Sequence, residues 1–343
     1  MSTRAMKIMV GFVAGAVTAI LVTAGTVPNA VAQSAAEFFK GKNVTIVVGF
    51  DPGSDFDVQA RMMVPYLTNV MGLRAIAVED KPGASQITAT NALFTTKPDG
   101  LTVMLSHGPR VVFNAAFGMQ GVAYDWKRFV WLGKLLLEDM VIFVDKKARW
   151  EKPQDLAGQK FIVGVSRPFY EPLFAEALGW DGMQAVPGFM SVAERLTAIT
   201  RGELQATAAN ASFPGDLSGV KPIVIALKHK RYPNVPTVRQ TAPRDREKWV
   251  TALENFQQLQ YGFVAPPGLP DDRTKFWEDS LRKVYNDADF RKKVESLELD
   301  MAQEFIGSKE LKDLAFKLAD ESFKSPEDIK NFQNVIERKY VKK

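Results

Sequence analysis

Short apolar runs alternate with stretches in which apolar residues recur every three or four positions, and the alternation continues along almost the whole chain. The run "NVTIVVGF", residues 43 to 50, is almost continuously apolar, which predicts a strand covered on both faces. "DVQARMMVPYLTNVMG" follows, with Val58, Met62, Leu67 and Val70 near helical spacing, Asp57 as its expected cap and Gly72 as its stop. Pro65 inside it is expected to kink or divide the helix. "LRAIAVED" and "LTVMLS" predict two further strands, with "QITATNALFTT" as a helix between them. Strand, helix, strand, helix, strand is a doubly wound half-domain, whose ligand crevice lies beyond the carboxyl ends of its strands.

The middle of the chain repeats the theme. "MVIFVDK", "KFIVGV", "MQAVPG" and "LQATAAN" predict strands, and "YEPLFAEALG" and "SVAERLTAITRGE" predict helices. After the polar, proline-rich stretch at 231–249 the chain returns as "LQYGFVAPPGLP", and residues 271 to 343 are helical by pattern. The fold class expected is α/β in two lobes, each a mixed sheet flanked by helices. Crossings are expected near Glu138 to Val141 and Leu259 to Gly262, with the last helices returning to the first lobe.

The first residues have a different character. Arg4 and Lys7 precede an apolar run from Ile8 to Ala24, then Pro28 and the small-residue triplet Ala30, Val31, Ala32. This is the layout of a secretory signal peptide cut after Ala32, and it places the mature protein in the periplasm. Cysteine is absent, which removes disulfides, thiol nucleophiles and thiolate metal sites. Removing Arg4 and Lys7 from the net charge of +5 leaves +3, spread along the chain, with no nucleic-acid footprint.

The quoted segments, together with "VEDKPGASQITATNALFTTKPDGLTV", "DWKRFVWLGK", "YPNVPTV" and "YGFVAPPGLPDD", resemble in order and spacing the substrate-binding receptors of tripartite tricarboxylate transporters, the Bug or TctC family. The resemblance implies a type II periplasmic-binding-protein fold that closes on a small organic acid like a Venus flytrap, and membrane permease subunits as partners. It implies lobes at 33–139 with 260–343 and at 140–259, after a signal peptide at 1–32. No enzyme activity, cofactor or metal is implied, and a monomer is expected. The rival expectation is a sensor or scavenger module that presents its ligand, even a non-carboxylate or cationic one, to a signalling partner.

The family's first cleft loop, typically F-P-P-G-G-G-T-D, matches Phe50, Asp51, Pro52, Gly53, Ser54, Asp55, Phe56 and Asp57. The second, typically R-P-G-A-G-G, matches Lys81, Pro82, Gly83, Ala84, Ser85 and Gln86. Each precedes a helix, and a glycine-rich turn at a helix start leaves N–H donors for an anion. Here Ser54, Asp55, Ser85 and Gln86 stand where the family has glycine, and Asp51 and Asp55 repel a carboxylate if they face the cleft. In the second lobe the family's Gly/Ser-rich loop is replaced by Ser166, Arg167, Pro168, Phe169 and Tyr170. Arg167 is a candidate carboxylate clamp and Phe169 and Tyr170 are candidate covers for an apolar ligand body. Gly188, Phe189 and Asn210 fall at other strand ends facing the cleft, as does "SHGPR" with His107.

Catalytic chemistry finds little support. The chain has two histidines, His107 and His229, with no metal-ligand spacing between them, and His229 is expected in a solvated loop. There is no G-x-S-x-G, no P-loop ending, and no glutamate at the distance that a calcium loop requires after "DPGSDFD". The Trp-rich "YDWKRFVWLGK" predicts a surface turn and a strand, with a docking patch as the alternative.

Overall fold

The computed structural model describes residues 33 to 341 apart from 138, 166–168, 190, 214, 298 and 323. The expected signal-peptide cleavage lies outside the described residues. After the short helix α1 (Ala35–Phe39), strand β1 (Asn43–Val48) buries Val44, Ile46, Val47 and Val48. Burial of consecutive residues means that both faces are covered. Helix α2 (Asp55–Met71) leads to β2 (Ala75–Asp80), and α3 (Ile87–Phe94) leads to β3 (Thr102–His107), with both strands parallel to β1.

Helix α2 begins two residues before the expected cap. Its N-cap is Ser54, whose hydroxyl accepts from the Asp57 N–H, while Asp57 sits inside the first turn. The helix runs undivided through Pro65, which stands on an exposed face, and ends at left-handed Gly72.

Helix α4 (Gly108–Ala116) follows β3 directly, and β4 (Val130–Leu137) takes the chain toward the second sheet. That sheet contains β5 (Met140–Asp145), β6 (Phe161–Val165), β7 (Met183–Pro187), β8 (Ala206–Asn210) and β9 (Val220–Ile225). Its order is β7-β6-β8-β5-β9, with α5 (Tyr170–Leu178) and α6 (Val192–Thr200) as crossovers. The chain comes back through α7 (Val238–Thr241) and α8 (Glu247–Gln258) to β10 (Gln260–Ala265). Then come α9 (Asp271–Asn286), α10 (Ala288–Ser296), β11 (Asp300–Gly307), α11 (Ser308–Ser322) and α12 (Pro326–Asn334). The first sheet reads β11-β4-β10-β3-β1-β2, with β10 antiparallel to both β3 and β4.

One apolar core runs from the first sheet to the second. Phe113 of α4 stacks on Phe256 of α8 at 4.2 Å, and the Phe169 ring before α5 lies 5.2 Å from Phe256. Leu311, Ala315 and Leu318 of α11 belong to the same core. Buried Lys134 of β4 fixes the C-terminus of α8, its Nζ donating to the carbonyls of Gln257 and Gln258 at 3.3 and 2.6 Å, where the helix dipole favours a cation.

Four expectations are corrected. The tail is not wholly helical: β11 pairs with β4 at the sheet edge, because its polar and apolar residues fit a half-buried strand. The last residues do not stay with the first lobe. The carbonyl of Tyr340 accepts from Ala185 N–H at 2.6 Å, Val341 bridges Ala185 of β7, and Tyr340 Oη donates to Glu176 of α5 at 2.8 Å. Tyr124, Trp126 and Trp131 are buried, so the Trp-rich span offers core and not a docking patch. His229 is buried rather than solvated, its Nε2 2.6 Å from Oδ2 of Asp300, the first residue of β11. That partner is 71 residues away in sequence.

Candidate ligand-binding cleft

A cavity of about 420 Å³ lies where the ends of β1, β2 and β3 meet the start of α5. Gly49 to Asp51 and Ser54 to Phe56 form one wall, Pro82, Gly83, Ser85 and Gln86 a second, and His107 and Arg110 a third, with Tyr170 facing them from the second lobe.

The first wall is braced from below. The Asp57 carboxylate accepts from Gly53 N–H at 2.8 Å and pairs with Arg61 at 2.6 Å, and Arg61 reaches Asp80 at the end of β2 at 2.9 Å. The Phe50 and Phe56 rings stack at 4.4 Å, and the Arg110 guanidinium sits over Phe50 at 5.2 Å. Asp55 touches solvent but is crowded by the cleft walls, and this lost hydration raises its pKa.

The second wall is strained. Ala84, Ser85 and Gln86 have φ of 46°, 57° and 76°, a run of left-handed residues that costs non-glycine residues roughly 1–2 kcal/mol each. The turn is tied down by Thr90 Oγ1 donating to Gln86 O at 2.9 Å and Asn114 Nδ2 donating to Ser85 O at 2.8 Å. Gln86 can lie flat against β1 only because residue 49 is glycine: a Cβ there would stand 2.3 Å from Gln86 Cγ. Gln86 Oε1 accepts from His107 N–H at 3.0 Å, which fixes the amide orientation and leaves Nε2 buried without a partner.

His107 caps α4: its Nδ1 accepts from Arg110 N–H at 3.3 Å. Burial, then the Arg110 charge, hold its pKa well below the ordinary value. The ring is therefore neutral, and with Nδ1 accepting, Nε2 carries the proton and donates to Tyr170 Oη at 3.0 Å. On the second lobe, behind Tyr170, burial raises the Glu171 pKa to about 7 despite the opposing charge of Arg195. Arg195 is itself held by Thr207 Oγ1 at 2.9 Å and Phe189 O at 3.2 Å.

No protein-family model matches the chain. A curated UPF0065 protein of Bordetella bronchiseptica is 28% identical over 102 residues, 30% of either chain. The chain thus aligns with less than a third of that relative's length. A TctC solute-binding protein from Polaromonas, solved without ligand, superposes with a TM-score of 0.63 at 15% identity, covering 86% of this chain and 98% of that one. For the periplasmic binding protein BugD the TM-score is 0.61 at 16% identity, covering 88% and 99%. The fold is that of the TctC and Bug solute-binding proteins. MatC of Rhodopseudomonas palustris, solved with bound malate, has a TM-score of 0.57 at 20% identity, covering 86% and 99%.

Within this TctC-type fold the residues expected at the cleft separate into groups. Phe50, Ser54, Asp55, Phe56, Ser85, Gln86, His107 and Tyr170 line one cavity. Pro52 and Gly53 form the exposed crest of the first loop, Asp57 lies buried beneath it, and Ala84 belongs to the strained turn without lining the cavity. Phe169 packs into the core between the lobes. Gly188 is exposed, Phe189 packs on the second-lobe core, and Asn210 Oδ1 is occupied by Ser212, so none of the three lines the cavity. Ser166 and Arg167 lie outside the described residues. Asp51 lines the cavity with Asp55, and Arg110, inside the quoted "SHGPR", is a lining cation that was not singled out. Among the described residues no group of three or more His, Asp or Glu side chains is placed to hold a metal ion.

Proposed function

We propose that the chain is a periplasmic solute receptor that captures a small carboxylate-bearing molecule between two lobes and delivers it to a tripartite tricarboxylate transporter permease. The observation that carries this reading is the single cavity built from three strand-end loops of one sheet and closed by Tyr170 from the other. The start of α2 and of α4 both open on it, and their N-terminal N–H groups favour an anion. The malate in MatC, a neighbour with the same fold, supports a small carboxylate as the ligand type.

The moving bodies in this proposal are residues 33–139 with most of 260–343, and residues 140–259. Ligand contacts are assigned to Ser54, Asp55, Ser85, Gln86, His107, Arg110 and Tyr170. The role is capture and hand-over rather than turnover. The test is a thermal-shift and calorimetric screen of the secreted protein against mono-, di- and tricarboxylates and amino carboxylates. Saturable binding of a carboxylate-bearing compound supports the reading, and silence across the panel overturns it.

A further inference from the structure

The charges around the cavity are those of a site built for two unlike ends of one molecule. Asp51 and Asp55 both line it, and among the described residues neither has a cation within ion-pair distance. His107 is neutral, so among the described lining residues Arg110 brings the positive charge. Among the described lining residues, two carboxylates face one guanidinium, and a dicarboxylate adds two further negative charges at short range to Asp51 and Asp55. An ammonium group instead offers each aspartate a charge-assisted hydrogen bond. It also suits the aromatic faces of Phe50 and Tyr170 beside them.

The second wall has complementary needs. Gln86 is 1% exposed, its Oε1 is committed to His107, and its Nε2 is a buried donor with no acceptor. Such a donor is costly unless something supplies an oxygen. The strained turn that holds Gln86 in this wall adds to that cost, and strain of this kind persists where the surroundings enforce a particular geometry.

We infer that this cleft takes a zwitterion, with its ammonium held by Asp51 and Asp55 and its carboxylate received by Gln86 Nε2 and the charge of Arg110. The inference rests on the receptor reading and narrows it from carboxylates in general to amino carboxylates. A volume of about 420 Å³ limits the ligand to a small molecule.

The experiment is isothermal titration calorimetry on the secreted, purified protein with three matched series. These are amino carboxylates (α-amino acids and straight-chain ω-amino acids up to 6-aminohexanoate), α,ω-dicarboxylates of the same lengths, and n-alkylamines. At least one amino carboxylate is expected to bind tenfold or more tighter than the dicarboxylate and the amine of equal length. Asp55→Asn is expected to weaken that amino carboxylate tenfold or more and to tighten the matched dicarboxylate. Asp51→Asn provides the same readout should Asp55→Asn fail to fold, as judged by circular dichroism. A dicarboxylate that matches or exceeds every amino carboxylate on the unsubstituted protein overturns the zwitterion assignment and leaves the receptor reading standing. An unchanged order in both variants does the same. Binding of amines alone, or of nothing, overturns both.

Discussion

His107 Nε2 and Tyr170 Oη lie 3.0 Å apart and join the end of β3 to the first residue of α5 across the cleft. One residue ends a strand of the first sheet and the other starts a helix packed on the second, so this hydrogen bond ties the two halves of the fold together. Tyr170→Phe removes the acceptor and leaves the His107 N–H buried, at an expected cost of about 1–3 kcal/mol in urea unfolding. Unchanged stability means that the bond is replaced by water in solution.

The same pair makes a spectroscopic prediction. With Nδ1 accepting from Arg110 and burial opposing protonation, His107 is expected to stay in the Nε2–H tautomer from pH 8 down through 6.5. Its folded pKa is depressed, so its contribution to stability is present above 6.5 and is lost as pH falls below that value. Long-range ¹H–¹⁵N spectra of the ring test this directly. A titration midpoint near 6.5 contradicts the buried, neutral assignment.

The left-handed turn gives a paired prediction of opposite sign. Ser85→Gly keeps the carbonyl that Asn114 bonds and relieves φ 57°, so it is expected to stabilise by up to ~1 kcal/mol. Gln86→Gly relieves φ 76° but strips His107 N–H of its acceptor and leaves a void over Gly49, so it is expected to destabilise. Melting temperatures of the two variants moving the same way are inconsistent with this account of the wall.

Glu171 sets a pH dependence in the second lobe. Its folded pKa of about 7 exceeds the ordinary 4.5, so the folded state holds its proton more tightly. Its stabilising contribution is full below pH 4.5 and is lost as pH rises through about 7, an effect of about 3 kcal/mol. The stability of the unsubstituted protein relative to Glu171→Gln is therefore expected to fall between pH 4.5 and 8. Parallel stability–pH curves remove Glu171 as the cause.

The first half of the fold was readable from the sequence because its strands are short apolar runs bounded by glycine turns, as "NVTIVVG" shows. The loops around Asp55 and Gln86 were readable for the same reason. Strand β11 escaped because exposed Gln303 and Glu304 interrupt the apolar pattern inside an otherwise helical tail, and only β4 gives it an edge to pair with among the described residues. His229 and Asp57 were misassigned because their partners are set by tertiary structure: Asp300 lies 71 residues on, and the helix that Asp57 was expected to cap starts at Ser54 instead. Phe169 carries a ring suited either to a ligand or to a core. Its neighbours Phe113 and Phe256, remote in sequence, decide for the core.

The chain passes between the two sheets after Leu137, again before Gln260, and a third time when its end reaches Ala185. Two straps alone act as a pin about which plates can open and also swivel. A third strap, anchored by Tyr340 on Glu176 and Ala185, would resist the swivel in the lobe motion proposed above. In the proposed receptor the C-terminal tail would thus be a guide rail, keeping the jaws in register so that Tyr170 meets His107.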